Sequence, residues 1–159
     1  MARKIGTIPR KIGTIPRRIR TIGRLSARER RRALATIALM TVVRTALWVL
    51  PFRWIRQMTA VASAWRWVPF GFRELDTRWA VRLAARYVPG ASCLTQAITA
   101  QLLLSWSGVK SRLHVGVSRT EKFEAHAWLE CDGRVLLGGE LESSRYAPIL
   151  ILEGRQARS

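Results

Sequence analysis

The stretch that decides the fold of this chain is "SCLTQAITAQLLLSWSG", residues 92–108. It follows a Pro89-Gly90 break, and its first residue, Ser92, is of a type that commonly caps a helix N-terminus. Apolar residues then recur at helical spacing to the end of the stretch. The stretch therefore predicts a helix whose first turn contains Cys93, one of two cysteines in the chain.

The residues after this helix alternate between apolar and polar positions. The alternation covers RLHVGV (112–117) and FEAHAWLE (123–130), and a period of two is typical of half-buried strands. A turn at Asp132-Gly133 within CDGRVLL (131–137) then predicts a hairpin and a third strand. The C-terminal half therefore predicts an α+β fold in which one helix precedes three antiparallel strands.

The basic charge is concentrated before this region. The 159-residue chain has a formal net charge of +18, yet residues 87–159 carry eight basic and seven acidic side chains. Residues 1–32 carry twelve Lys or Arg and one acid, and they contain the tandem repeat RKIGTIP at 3–9 and 10–16. Pro and Gly in each copy are incompatible with a coiled coil, so the repeat predicts a flexible basic tail.

Helices are predicted between the tail and residue 92. Ser26, with Glu29 three residues later, forms a capping-box pattern before an apolar run that ends at Pro51. Arg44 interrupts this run, which is shorter than the roughly 20 apolar residues that span a bilayer. A buried helix, or one lying on a membrane surface, is therefore expected rather than a spanning helix. Two further helices are predicted, one over residues 53–68 and one that starts at residue 74 and is ended by Pro89-Gly90.

Cys93 at a helix start is a candidate nucleophile. The positive end of the helix dipole favours a thiolate there, and the free N–H groups of the first turn can stabilise an oxyanion. A general base would come from one of the two histidines, and spacing alone allows either His114 or His126. A lone cysteine on a helix is more often a core residue. A zinc site built from both histidines, Cys93 and Cys131 has poor ligand spacing, so no metal and no cofactor is expected.

Three stretches resemble one known family. They are CLTQAITAQLLLSWSGVKSRLHVGV (93–117), FEAHAWLECDGRVLLGG (123–139) and RYAPI (145–149). Together they resemble the leader peptidases of lasso-peptide biosynthesis, also called the B protein or the microcin-processing protein C-terminal domain family, in the stand-alone form without the leader-recognition domain. The resemblance implies a transglutaminase-like (papain-like) cysteine peptidase core, with Cys93 as the nucleophile, His126 as the base and His114 in a structural role.

The resemblance also implies partners and an organisation of the chain. The substrate would be a ribosomally made precursor peptide, presented by a separate leader-recognition protein, and the product would pass to an ATP-dependent lasso cyclase. Two cysteines and no recognisable secretory signal predict a cytoplasmic location, with membrane-surface contact through the basic N-terminal region as a further expectation. The expected segments are a basic tail (1–25), a helical segment (26–88), a transglutaminase-like peptidase core (89–152) and a flexible C-terminus (153–159).

The third catalytic residue departs from the family pattern. The family carries an Asp twelve residues after the histidine, and Gly138 stands at that position here. Strand pairing also predicts that His126 has no carboxylate opposite it, because the hairpin places either Gly138 or Gly139 there. Glu140 is the nearest carboxylate along the strand and is the expected third member. Glu142 or a backbone carbonyl is the alternative.

Two non-catalytic functions remain as alternatives. The net charge suggests nucleic-acid binding, but the basic segment lacks interleaved aromatic residues, so no specific nucleic-acid partner is expected. A membrane-surface scaffold would instead use the apolar run within residues 26–50, with Cys93 chemically inert.

Overall fold

Four helices and four strands form the part of the chain that the computed structural model describes, residues 25–63, 71–118, 124–139 and 146–154. The helices are α1 (Ala27–Val49), α2 (Phe52–Ser63), α3 (Glu74–Ala84) and α4 (Cys93–Trp106). The strands are β1 (Arg112–Ser118), β2 (Ala125–Cys131), β3 (Arg134–Leu137) and β4 (Tyr146–Glu153). The expected α+β class is therefore confirmed. The predicted basic tail as far as residue 24, and residues 155–159 of the predicted C-terminal segment, lie outside the described residues.

The capping box predicted for the first helix is present at the start of α1. The backbone N–H of Glu29 donates to Oγ of Ser26 at 3.3 Å, and the N–H of Ser26 donates to Oε2 of Glu29 at 2.9 Å. Hydrogen bonds from Ser26 stabilise the carboxylate, so they lower the pKa of Glu29. The sequence signal therefore corresponds to a real helix start.

One side of α1 is buried against α3 and α4. Its buried residues are spaced three or four apart, as the core-facing stripe of a helix requires; they are Ala33, Thr36, Met40 and Val43. α1 is also long and apolar enough to cross a membrane, but the core helix of a soluble protein can meet the same two criteria.

The ends of the next two helices differ from the prediction or go beyond what the structure describes. α2 is described as far as Ser63, so the end of the predicted helix at 53–68 lies outside the described residues. α3 ends at Ala84, before it reaches the Pro89-Gly90 break at which it was predicted to end, and residues 85–90 form turns. Pro89 disfavours a helical conformation of the residue before it, and Gly90 has a φ of +69°, so the helix cannot continue through them.

The sheet is antiparallel, with the strand order β3-β2-β1-β4. The prediction of three strands was wrong by one, because β4 pairs with the outer side of β1. The run Tyr146–Glu153 is mostly apolar and does not alternate, and it contains Pro148, which is unusual in a strand. Pro148 is tolerated here because β4 is an edge strand and pairs with Gly116 where the register is irregular.

The hairpin between β2 and β3 contains the predicted two-residue turn. Asp132 and Gly133 have φ values of +46° and +75°, the combination of a type I′ turn. A bulge between Leu129 and Glu130 then shifts the pairing by one residue, so that Leu129 pairs with Leu137. The bulge sets which residues of β3 and the following chain approach His126.

Helix α4 lies between the sheet and the other helices. Strands β1 and β2 contact it on one side, and α1, α2 and α3 contact it elsewhere, so it is buried over nearly all of its length. The largest fully buried apolar side chains of the core are Met40, Ile98, Leu104, Leu113, Leu129 and Val81. Burial on this scale makes α4 the central element of the core rather than a surface helix.

The direction of α4 follows from its contacts with the sheet. The side-chain amide of Gln101 donates to the carbonyl of Leu152 at 2.8 Å, and Leu152 pairs with Leu113 near the start of β1. The second half of α4 therefore lies beside the start of β1, and the two elements run in opposite directions. Cys93 is at the other end of α4, toward the end of the sheet where β1 finishes and where β2, which contains His126, begins.

Candidate active site

Cys93 is the first residue of α4, and its thiol is free and partly exposed. Ser92 caps the helix, because its Oγ accepts a hydrogen bond from the N–H of Thr95 at 3.3 Å. The N–H groups of Cys93 and Leu94 have no acceptor within the helix, since first-turn donors lack a carbonyl four residues earlier. The thiol therefore lies at a helix end whose outward donors and dipole can stabilise negative charge.

The loop that leads to Cys93 is held by the helix itself. The side-chain amide of Gln96 donates to the carbonyl of Ala91 at 3.0 Å, and the N–H of Gln96 donates to the carbonyl of Ser92 at 3.0 Å. Gln96 belongs to the Cys-Leu-x-Gln-Ala pattern of the sequence. Its two bonds fix the chain just before Cys93, so this residue positions the start of the helix.

His126 is held by a backbone carbonyl. Its Nε2–H donates to the carbonyl oxygen of Gly138 at 2.8 Å. When a neutral imidazole carries its proton on Nε2, the lone pair that accepts a proton lies on Nδ1. The bond to Gly138 therefore fixes the tautomer and the orientation that a general base needs.

Gly138 approaches β2 too closely to carry a side chain. Its φ is +103°, and a Cβ built on it would lie 2.5 Å from Cβ and 2.8 Å from Cα of Trp128. Real Cβ atoms do not reach such distances, so any other residue would push the chain away from β2. The glycine that interrupts the family pattern is thus the residue whose backbone contacts the imidazole.

A row of rings lies on the sheet face that carries His126. His114 stacks on Trp128 with centroids 5.2 Å apart, and Trp128 stacks on His126 at 6.3 Å. The ring of Tyr146 lies 5.0 Å from His126 on the other side. Gly116 makes the row possible, because a Cβ there would lie 3.0 Å from the indole of Trp128. The rings on both sides of His126 restrict its plane.

Comparison with known protein families matches residues 11–151 to the transglutaminase-like superfamily. The matched residues are most of the chain and include α4, the first three strands and most of β4. The chain belongs to the transglutaminase-like superfamily. Searches among curated proteins and among solved structures found no match.

The transglutaminase-like superfamily includes cysteine peptidases. The expected fold is confirmed, since Cys93 begins a helix that packs on an antiparallel sheet. The match is to the superfamily as a whole rather than to the lasso-peptide peptidases. The match therefore establishes the fold and membership of a superfamily that includes cysteine peptidases.

The carboxylates expected to complete a transglutaminase-like triad, Glu140 and the alternative Glu142, lie outside the described residues. The third alternative, a backbone carbonyl, is present at Gly138. Glu140 as the third catalytic member thus stays a prediction. The described bond supplies orientation of His126 without a carboxylate.

The second histidine of this transglutaminase-like core, His114, is buried beside Glu130. Its Nε2 lies 3.1 Å from Oε2 of Glu130, although the N–H direction is not aligned for a hydrogen bond. Glu130 also accepts a hydrogen bond from the indole N–H of Trp128 at 3.3 Å. These contacts hold His114 in the ring row. His114 pairs with Trp128 and His126 pairs with Gly116, so the two histidines lie on the same face of the sheet.

The second cysteine, Cys131, lies at the far end of β2 from His126 and is buried. Burial first, and then the nearby carboxylates of Glu74 and Asp132, together raise the pKa of its thiol to about 12. A protonated, enclosed thiol is a poor nucleophile, so Cys131 is a core residue. Within the described residues, no three His, Cys, Asp or Glu side chains are grouped to hold a metal ion.

Arg44 is a neighbour of the site that the sequence analysis did not assign to it. A Cβ built on Gly90 would lie 3.0 Å from Nη2 and 3.1 Å from Nε of Arg44, so the guanidinium covers the loop before α4. Its Nε is buried and has no hydrogen-bond partner among the described residues. The available signal was one charged residue inside an apolar run, which we interpreted only as evidence against a membrane-spanning helix.

Proposed function

We propose that this chain is a cysteine peptidase that removes the leader from a ribosomally made lasso-peptide precursor. One observation supports the chemistry above all others: His126 is oriented by the bond from its Nε2–H to Gly138, in a core whose buried helix α4 begins at Cys93. A thiol beside helix N–H donors and an oriented imidazole are the groups that acyl transfer to a cysteine needs.

The reaction proceeds through an acyl-enzyme. Nδ1 of His126 takes the proton of Cys93, and the thiolate attacks the carbonyl carbon of the scissile peptide bond. The first-turn N–H groups of α4 stabilise the oxyanion. His126 gives the proton to the leaving amine as the C–N bond breaks. Water then attacks the thioester with His126 as base, the C–S bond breaks to release the acid, and His126 returns the proton to Cys93. Throughout, the bond to Gly138 keeps Nδ1 directed at the reacting atoms.

The choice of substrate rests on the sequence resemblance. The Cys-Leu-x-Gln-Ala, Arg-Leu-x-x-Gly-Val and Ala-His-Ala-Trp patterns occur together at 93–97, 112–117 and 125–128, as in the lasso-peptide leader peptidases. On this proposal a separate recognition protein presents the leader, and an ATP-dependent cyclase closes the ring of the released core peptide. The reaction takes place in the cytoplasm.

Leader cleavage measured by mass spectrometry tests the proposal. The cognate precursor and recognition protein are incubated with the wild type and with the Cys93→Ala, His126→Ala and Glu140→Gln variants. Cys131→Ala is the matched control, because it removes the other cysteine. Loss of cleavage with the first two variants and retention with Cys131→Ala support the mechanism. Full cleavage by Cys93→Ala overturns it, and the Glu140 variant shows whether that carboxylate contributes.

A membrane-surface role is a second candidate, and exposed apolar residues of α1 favour it. They are Leu34, Val42, Trp48 and Val49, between 52% and 80% exposed. Arginines at the start of the same helix would meet anionic headgroups. Co-sedimentation with anionic vesicles tests this role, using Gln in place of Arg28, Arg30 and Arg31. Arg32 is left unchanged because it pairs with Asp76 at 3.0 Å.

A further inference from the structure

A groove runs along α3, on a different element from the candidate site. Its volume is about 360 Å³, and Leu25 closes one side. Apart from Leu25, the lining residues belong to α3 and the turn after it; they are Leu75, Arg78, Trp79, Arg82, Leu83 and Arg86. Among the described residues, the lining of the groove thus combines large apolar side chains with arginines and includes no acid.

The described lining of the groove has three arginines, two on one side of α3 and one in the turn that follows it. Arg78, Arg82 and Arg86 are four residues apart in sequence, and all three are exposed. Neither acid of α3 is among the described lining residues, and Asp76 pairs with Arg32 at 3.0 Å. The groove is therefore a locally positive surface.

The apolar part of the groove is open to solvent. Leu75 is 77% exposed and Trp79 is 38% exposed, on the helix that otherwise packs against α1 and α4. Trp and Arg are the residue types that carry most binding energy at protein interfaces. A concave apolar surface bordered by arginines matches a peptide segment with apolar anchors and carboxylates beside them.

Charge decides which partner fits. Residues 1–24 lead directly into Leu25, but they carry eight Lys or Arg and no acid, so the arginines of the groove repel them. A second copy of a chain with a net charge of +18 is repelled for the same reason. A flat lipid surface would contact the rim of the concave groove rather than fill it. We propose that the α3 groove binds an acidic amphipathic segment of a partner protein.

Fluorescence anisotropy of the full chain tests this proposal independently of any peptidase activity. The probe is a fluorescein-labelled peptide with leucine at helical spacing and glutamate elsewhere, and a peptide with lysine for glutamate is its control. The test variant, Arg78→Glu with Arg82→Glu, is compared with Arg28→Glu plus Arg30→Glu, which changes the net charge equally on α1. We expect the first pair to weaken binding of the acidic probe by about tenfold or more, and the second much less.

Two further arms identify other outcomes. Leu75→Ser removes an exposed anchor without disturbing the core, and it is expected to weaken binding of the probe too. Equal weakening by both arginine pairs would overturn the proposal, because it would show attraction to overall charge alone. The Arg78 and Arg82 changes could instead abolish binding to phosphatidylglycerol vesicles and leave binding of the peptide unchanged. That result would assign the surface to lipid.

Discussion

The imidazole of His126 donates its Nε2–H to the carbonyl oxygen of Gly138 at 2.8 Å, and Gly138 in turn lies against the backbone of Trp128. The approach that brings the carbonyl to the ring also leaves no space for a side chain at residue 138. The Asp of the lasso-peptide peptidases could not occupy this position on this backbone. A carbonyl fixes the tautomer as a carboxylate does, but it carries no full charge to stabilise an imidazolium.

Replacing Gly138 should destabilise the fold. In Gly138→Ala the new Cβ would need to lie 2.5 Å from Cβ of Trp128, and the φ of +103° is unfavourable for any L side chain. We expect a loss of about 2–4 kcal/mol in the free energy of unfolding, from the backbone conformation and overpacking together. Urea unfolding followed by circular dichroism measures it. Gly138→Asp should behave likewise and should not increase cleavage.

Gly108→Ala is the matched control for this effect. Gly108 has a φ of +76°, but a Cβ there would meet nothing within 4 Å. The backbone conformation alone should cost about 1 kcal/mol. Equal losses at residues 108 and 138 would show that the contact with Trp128 has no energetic weight.

The two cysteines should differ in reactivity. Cys93 is partly exposed at a helix start, whereas Cys131 is buried with a pKa raised to about 12. Iodoacetamide at about pH 7.5 should therefore modify Cys93 at least about tenfold faster than Cys131 in the folded chain. Peptide mass spectrometry with time measures both rates, and unfolding in urea should make them similar. Comparable rates in the folded chain would contradict the burial of Cys131.

The thiol of Cys131 should make stability depend on pH in the alkaline range. Its pKa rises from 9.0 to about 12 on folding, chiefly because burial disfavours the thiolate. Between these values the unfolded chain loses the proton while the folded chain keeps it, so the free energy of unfolding falls as pH rises. Below about pH 9 this contribution is fully present.

Comparison of the wild type with Cys131→Ala isolates this contribution from that of other titrating groups. Urea unfolding at about pH 8, 9 and 10 should show a steeper loss of stability in the wild type. Parallel pH dependences in the two proteins would mean that the thiol titrates alike in the folded and unfolded chains.

The elements that were predicted correctly carry local signals. Ser26 with Glu29, and Ser92 before Cys93, are caps that act within one helical turn, and both are present. Asp132-Gly133 permits a type I′ turn through its own backbone preferences. Such signals need no knowledge of distant parts of the chain, and they were enough to predict α4 and the first three strands of the sheet.

The features that were not predicted depend on distant contacts. β4 is stabilised by pairing with β1 rather than by its own alternation, and the bulge at Leu129 and Glu130 has no signature in the residues themselves. That bulge determines what approaches His126, so the sequence left a backbone carbonyl as only one of several alternatives. The position of Arg44 over Gly90 likewise requires α1 to be packed against the core.

The contact between Arg44 and Gly90 can be measured by a double-mutant cycle. Gly90→Ala places a Cβ 3.0 Å from Nη2 of Arg44 and keeps a φ of +69°, so two separate costs are expected. In the wild-type background the loss in unfolding free energy should be about 1–2 kcal/mol from the backbone, plus the displacement of the guanidinium. In an Arg44→Ala background only the backbone cost remains. The two losses should therefore differ by about 0.5 kcal/mol or more, the size expected for residues in contact. Identical losses would mean that the guanidinium does not press on the loop before Cys93, and Arg44 would then have no part in placing the start of α4.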